Sequence, residues 1–93
     1  MYNWERSDKL IKILRTLFKK DKRRYESTLN KINEVIKSEN PNRYKNLCYD
    51  LKAFKGVHID THFVLTFKLD ENNKLIRFED LQHHDAIYRR KNK

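Results

Sequence analysis

All four histidines of this chain, His58, His62, His83 and His84, fall between positions 58 and 84 in its C-terminal half. Imidazole is the side chain whose ordinary pKa, about 6.5, lies nearest neutrality, so it can take or give a proton at physiological pH. Gathered on a chain with 22 Lys and Arg against 13 Asp and Glu, such groups suit proton transfer on a polyanion, and RNA is the polyanion expected. Metal-free RNA cleavage needs a base for the 2′-OH proton, an acid for the leaving 5′-oxygen and positive charge beside the non-bridging oxygens. Two histidines can fill the first two roles. A solitary histidine on a strand, by contrast, is usually structural or solvated. Zinc binding by His58 and His62 with His83 and His84 is the competing chemistry, since imidazoles are common zinc ligands. Ligands at i and i+4 converge on a helix, however, and this segment reads as strand and turn. Neither a metal nor another cofactor is expected.

The elements that must position these residues follow from periodicity. Residues 2–6 alternate aromatic and polar, as a short first strand would. Ser7 is a good N-cap, Asp8 suits the helix dipole, and Leu10, Ile13, Leu14 and Leu17 repeat at helical spacing, widened by Ile11 and Phe18. Lys19 and Lys20 suit a helix C-terminus. Asp21 is placed to cap a second helix with the stripe Tyr25, Leu29, Ile32, Val35 and Ile36. Two antiparallel helices are expected; one long helix is the alternative, because neither Gly nor Pro marks the turn. Pro41 ends the helical region. Beyond it Phe63, Leu65, Phe67 and Leu69 alternate with Val64, Thr66 and Lys68, which is a strand with one apolar face. Residues 70–74 are a polar turn, and Leu75 to Leu81 form the return strand, with Ile76 and Phe78 on one side. Phe54 to Asp60 reads as a further strand with Gly56 at a bend or bulge.

At 93 residues and 38% apolar content the chain suits one domain with a modest core and an open groove for a site. Its net charge of +9 points to an acidic partner, whether nucleic acid, anionic membrane or protein. Cys48 is single, so no intrachain disulfide forms; beside Leu47 and Tyr49 it reads as a small core residue rather than a nucleophile. No apolar run approaches the roughly 18 residues of a membrane span, and the N-terminus has no signal-peptide core. A soluble, cytoplasmic protein with no membrane partner is expected. The basic run from Lys19 to Arg24 suits either RNA phosphates or a solvated helix end. Residues 89–93 read as a frayed basic tail.

The order strand, helix, helix, antiparallel sheet, closing on His83-His84-Asp85-Ala86-Ile87-Tyr88, resembles the RelE/ParE superfamily of toxins from type II toxin–antitoxin modules. Its YafQ-like and archaeal RelE-like branches are the most similar. The resemblance is specific between Leu51 and Tyr88 and is carried by the run Val57 to Leu69, by Arg77-Phe78-Glu79, and by His84 and Tyr88. It implies an α+β RelE-like fold over residues 1–93: two N-terminal helices on a twisted antiparallel sheet of about four strands, with a short C-terminal segment. It further implies a ribosome-associated endoribonuclease that cleaves mRNA without a metal and is neutralised by a cognate antitoxin.

Position by position, His58 and His84 match the two catalytic histidines of YafQ-like toxins, one ending the strand before the hairpin and one following the last strand. Tyr88 matches an aromatic residue that contributes to activity. His62 stands where those toxins carry a functional Asp, and Phe63 where they carry a Trp. An upstream histidine of that family has no counterpart near Tyr49 to Leu51. Asp80 is the main departure, occupying the place of an Arg that would stabilise phosphate charge. With that Arg gone, the role would pass to Lys52, Lys55, Arg77, Arg89 or Arg90. The alternatives are a catalytically inactive RelE-like module that binds RNA or antitoxin, and a ParE-like gyrase inhibitor.

Overall fold

The computed structural model describes residues 2–47 and 53–88, with Tyr88 described through its backbone alone. The elements are β1 (Asn3–Arg6), α1 (Asp8–Lys20), α2 (Lys22–Lys37), a 3-10 turn (Pro41–Arg43), β2 (Lys55–His58), β3 (Phe63–Asp70), β4 (Leu75–His83) and α3 (His84–Tyr88). The expected caps form. Ser7 Oγ accepts the Leu10 N–H at 3.0 Å, and Asp21 Oδ1 accepts that of Arg24 at 3.2 Å. Asp21 leaves helical geometry at φ −152°, which separates two helices without Gly or Pro, because its carboxylate satisfies an orphan donor of the second, the Arg24 N–H.

The strands form one sheet in the order β1-β4-β3-β2. β2, β3 and β4 are antiparallel neighbours, as expected, whereas β1 lies parallel to β4, so the sheet is mixed. Parallel neighbours need a long crossover, and the two helices and the hairpin between β1 and β4 supply one. Ser7 locks this joint: its N–H donates to Phe78 O at 2.8 Å and its hydroxyl to Glu79 O at 2.5 Å.

The main core joins Leu10 and Leu14 of α1 and Ile32 and Val35 of α2 to Leu65, Phe67, Ile76, Phe78 and Leu81 of the sheet. Tyr25 packs half-buried at its margin, edge-to-face with Phe18. A second, smaller cluster lies on the other face of the sheet, where Leu47 and Ile87 cover Val64, with Phe54 beside them. Gly56 corrects the expected bend. It pairs regularly with Thr66, and the register shift lies between Thr66 and Phe67, opposite Glu79. Glycine stands there because a Cβ would come within 2.7 Å of Leu47 Cδ2. Among the described residues no helix is long and apolar enough to cross a membrane. Cys48 and residues 89–93 lie outside the described residues.

Candidate active site

The fold sorts the four histidines into two pairs. His58 ends β2 opposite Val64, and His84 opens α3 directly after β4; their ring centroids lie 5.6 Å apart. His62, from the β2–β3 loop, stacks on His83 at 6.0 Å with the planes 10° apart. Because successive strand residues face opposite sides, His58 shares the face of Val64, while His83, opposite Phe63, shares the helix-covered one. Among the described residues no group of three or more His, Cys, Asp or Glu side chains could hold a metal ion.

Each pair has identifiable supports. Ile87 of α3 is buried against Val64 and Leu47, and the His84 N–H donates to His62 O at 2.6 Å. Together these fix where His84 leaves the sheet. His83 Nδ1 accepts the Asp85 N–H at 3.1 Å, which holds the first turn of α3. Asp60 shapes the loop, its Oδ1 accepting the backbone N–H groups of His62 at 2.8 Å and Phe63 at 2.9 Å. Its other oxygen accepts from Arg24 Nε at 3.2 Å, and the Arg24 guanidinium lies 4.1 Å above the centre of the Phe63 ring. Burial pushes the Asp60 carboxyl up, but the two N–H bonds and Arg24 outweigh it and hold the group below its ordinary 3.8.

The expected charged residues fare differently. Asp80 is nearly buried, its Oδ1 accepting the Leu81 N–H at 2.8 Å and its Oδ2 pairing with Lys9 Nζ at 3.0 Å. It sits on the same sheet face as Thr66 and Gln82, in a shallow depression that Ser7, Lys9 and Phe54 complete. Lys55 is buried rather than presented to a ligand: its ammonium donates to Asn42 O, Tyr44 O and Asn46 Oδ1 at 3.1, 2.8 and 2.9 Å. Arg77 pairs with Glu5 and Glu79, which hold it more firmly protonated than usual. It lies near the start of β4, about 20 Å along the strand from its end at about 3.3 Å per residue. The fold therefore does not bring Arg77 to the His58–His84 pair. Tyr88 closes α3, following Ile87. Lys52, Arg89 and Arg90 lie outside the described residues.

Two basic residues that the sequence reading passed over stand beside His58. Arg43 and Lys45 line one groove with Tyr44, Gly56 and His58. Their segment runs along β2, with Asn46 bridged to Lys55 and the Gly56 N–H donating to Lys45 O at 3.2 Å. The signal that could have found them is the basic-aromatic-basic run Arg43-Tyr44-Lys45, two residues after Pro41.

No protein-family model matches the chain. A protein of Methanocaldococcus jannaschii named "Putative toxin RelE4" is 48% identical over 91 residues, covering 98% of this chain and 95% of its own. Among solved structures, the YoeB-YefM complex from Staphylococcus aureus superposes with a TM-score of 0.69 at 13% identity, covering 90% of this chain and 98% of the matched one. The Escherichia coli DinJ-YafQ toxin-antitoxin complex superposes with a TM-score of 0.61 at 22% identity, covering 94% and 97%. At these identities the two structures speak to the fold.

Proposed function

The chain belongs to the RelE family of toxins from toxin–antitoxin modules, and from that premise we propose that it arrests translation by cleaving mRNA on the ribosome through metal-free acid–base chemistry at His58 and His84. The observation that carries this reading is the pair itself, two imidazoles with centroids 5.6 Å apart on one side of the sheet. An acid and a base acting at one phosphodiester must come within about 3 Å of the leaving 5′-oxygen and of the neighbouring 2′-hydroxyl respectively, and rings at this spacing can do so. One imidazole takes the 2′-OH proton as the 2′-oxygen attacks phosphorus. The P–O5′ bond breaks, and the second imidazole, protonated beforehand, gives its proton to the leaving 5′-oxygen. A 2′,3′-cyclic phosphate and a 5′-hydroxyl result. His62 and Tyr88 serve to position the RNA.

The proposed partners are the ribosome with its mRNA and a cognate antitoxin. An antitoxin suits the groove along α1, where a half-exposed Phe18 lies with Ile11, Leu14 and Tyr25 of α2 in a lining that also includes Arg6, Arg15 and Lys19. Such a surface fits an acidic amphipathic segment.

The test is induction of the chain and of His84→Ala in cells, following growth and mapping mRNA 5′ ends. Growth arrest with new ends is expected, and the variant should lower cleavage by about 10²- to 10⁴-fold. Arrest with intact mRNA would replace this reading with that of a gyrase inhibitor. A second reading, an inactive member retained for binding, is favoured by one observation: a nearly buried carboxylate at Asp80, paired with Lys9. Neither arrest nor new ends would select it.

A further inference from the structure

We propose that Arg43 and Lys45 form the phosphate-binding wall of this site, holding the single-stranded RNA backbone where it enters beside His58. The positive charge that Asp80 does not provide thus comes from the opposite edge of the sheet. The inference takes its ligand from the RNA-cleaving reading and goes beyond it in naming two residues that the resemblance does not assign.

Three observations support it. The first is position, since both cations line the same groove as His58. The second is availability. Lys9 is paired with Asp80, Arg24 with Asp21 and Asp60, and Arg77 with Glu5 and Glu79. Among the described residues, neither Arg43 nor Lys45 pairs with a carboxylate; the Arg43 guanidinium lies instead 5.5 Å from the centre of the Tyr44 ring. The third is preorganisation. Buried Lys55 clamps the segment by donating to the carbonyls of Asn42 and Tyr44 and to Asn46 Oδ1, and the Leu47 N–H donates to Phe54 O at 2.8 Å. Cations on a backbone already fixed lose little freedom when they meet phosphate, and a rigid element holds its contacts in register. A guanidinium also suits phosphate better than a flexible ammonium does, through its paired donors.

The experiment measures binding of a short single-stranded RNA to full-length His84→Ala protein over a range of salt, with and without the added pair Arg43→Gln and Lys45→Gln. A control carries Lys12→Gln and Lys20→Gln, which remove equal charge from exposed positions of α1. Each single-strand phosphate contact contributes about 0.7 to the slope of log K against log salt, so losing two should flatten it by about 1.4 and weaken binding roughly tenfold at 0.15 M salt. The control should keep the original slope. Thermal melting in parallel shows whether the variants remain folded, as exposed polar replacements should. An unchanged slope overturns the inference and leaves the groove to an acidic protein, as does an equal fall in the control, which would mean diffuse electrostatics. Because the His84→Ala background reports binding without needing cleavage, absence of mRNA cuts in cells would remove the enzymatic reading while RNA held by Arg43 and Lys45 would still stand.

Discussion

Asp60 illustrates how one side chain presents others. Its carboxylate gathers the N–H groups of His62 and Phe63 and the Arg24 guanidinium, so the loop that separates the two histidine pairs is set by a single charge. Its folded pKa is depressed below 3.8, so its contribution is complete above that value and is lost as pH falls through the depressed one. Asp60→Asn keeps an oxygen acceptor for the turn but has no titrating carboxyl. The variant should therefore show a flatter loss of stability below about pH 4, measured by urea denaturation across the acid range. Parallel acid profiles would show that this carboxyl is not linked to folding. The histidines carry the same lesson about legibility. Their types suggested proton transfer, and their places at the end of one strand and the end of another suggested that an antiparallel sheet could join His58 to His84. That His62 would turn to His83 was not legible, because it depends on which side of the pleat each ring leaves and on an Asp60 turn closed through Arg24, which stands 36 positions away in sequence.

At the scale of elements, the β2 edge carries His58 and, packed along it, the basic segment of the candidate site. Gly56 lets Leu47 approach the strand closely, and that approach lays the Arg43 to Leu47 segment against β2. Gly56→Ala should cost about 1–3 kcal/mol by overpacking, since Leu47 Cγ at 3.3 Å and Val64 Cγ1 at 3.2 Å close in behind the 2.7 Å contact. The urea midpoint should fall, and RNA affinity with it as the segment shifts. An unchanged midpoint would mean that the Leu47 side chain swings aside freely. The helices and the hairpin were readable because their apolar residues recur at periods of 3.6 and 2, and their caps because Ser7 and Asp21 satisfy local donors. The parallel seating of β1 beside β4 was not readable. It joins Trp4 to Ile76 and Arg6 to Phe78 across almost the whole chain, and local pattern carries no information on such pairing. The role of Lys55 was hidden for a similar reason: a lysine in a strand reads as solvent-facing until a loop supplies three acceptors for its ammonium.

At the scale of the molecule, the proposed reading assigns the protein two working sides: the sheet face with His58 and His84 for RNA, and the apolar groove along α1 for an antitoxin. Phe18, 51% exposed, is the largest apolar group offered there. Phe18→Asp should leave mRNA cleavage intact while weakening antitoxin binding by about 2 kcal/mol, roughly thirtyfold, so that co-expressed antitoxin no longer restores growth. Full rescue by the antitoxin would place its contacts elsewhere. The sequence by itself determined the helices, the hairpin, the apolar faces and the basic charge, because these follow from residue type and short-range periodicity. Only the tertiary structure decided which histidines meet, which cations are consumed by carboxylates and carbonyls, and which remain to face a ligand. Those outcomes rest on contacts between residues far apart in the chain, where burial and hydrogen bonding, rather than local preference, set the geometry.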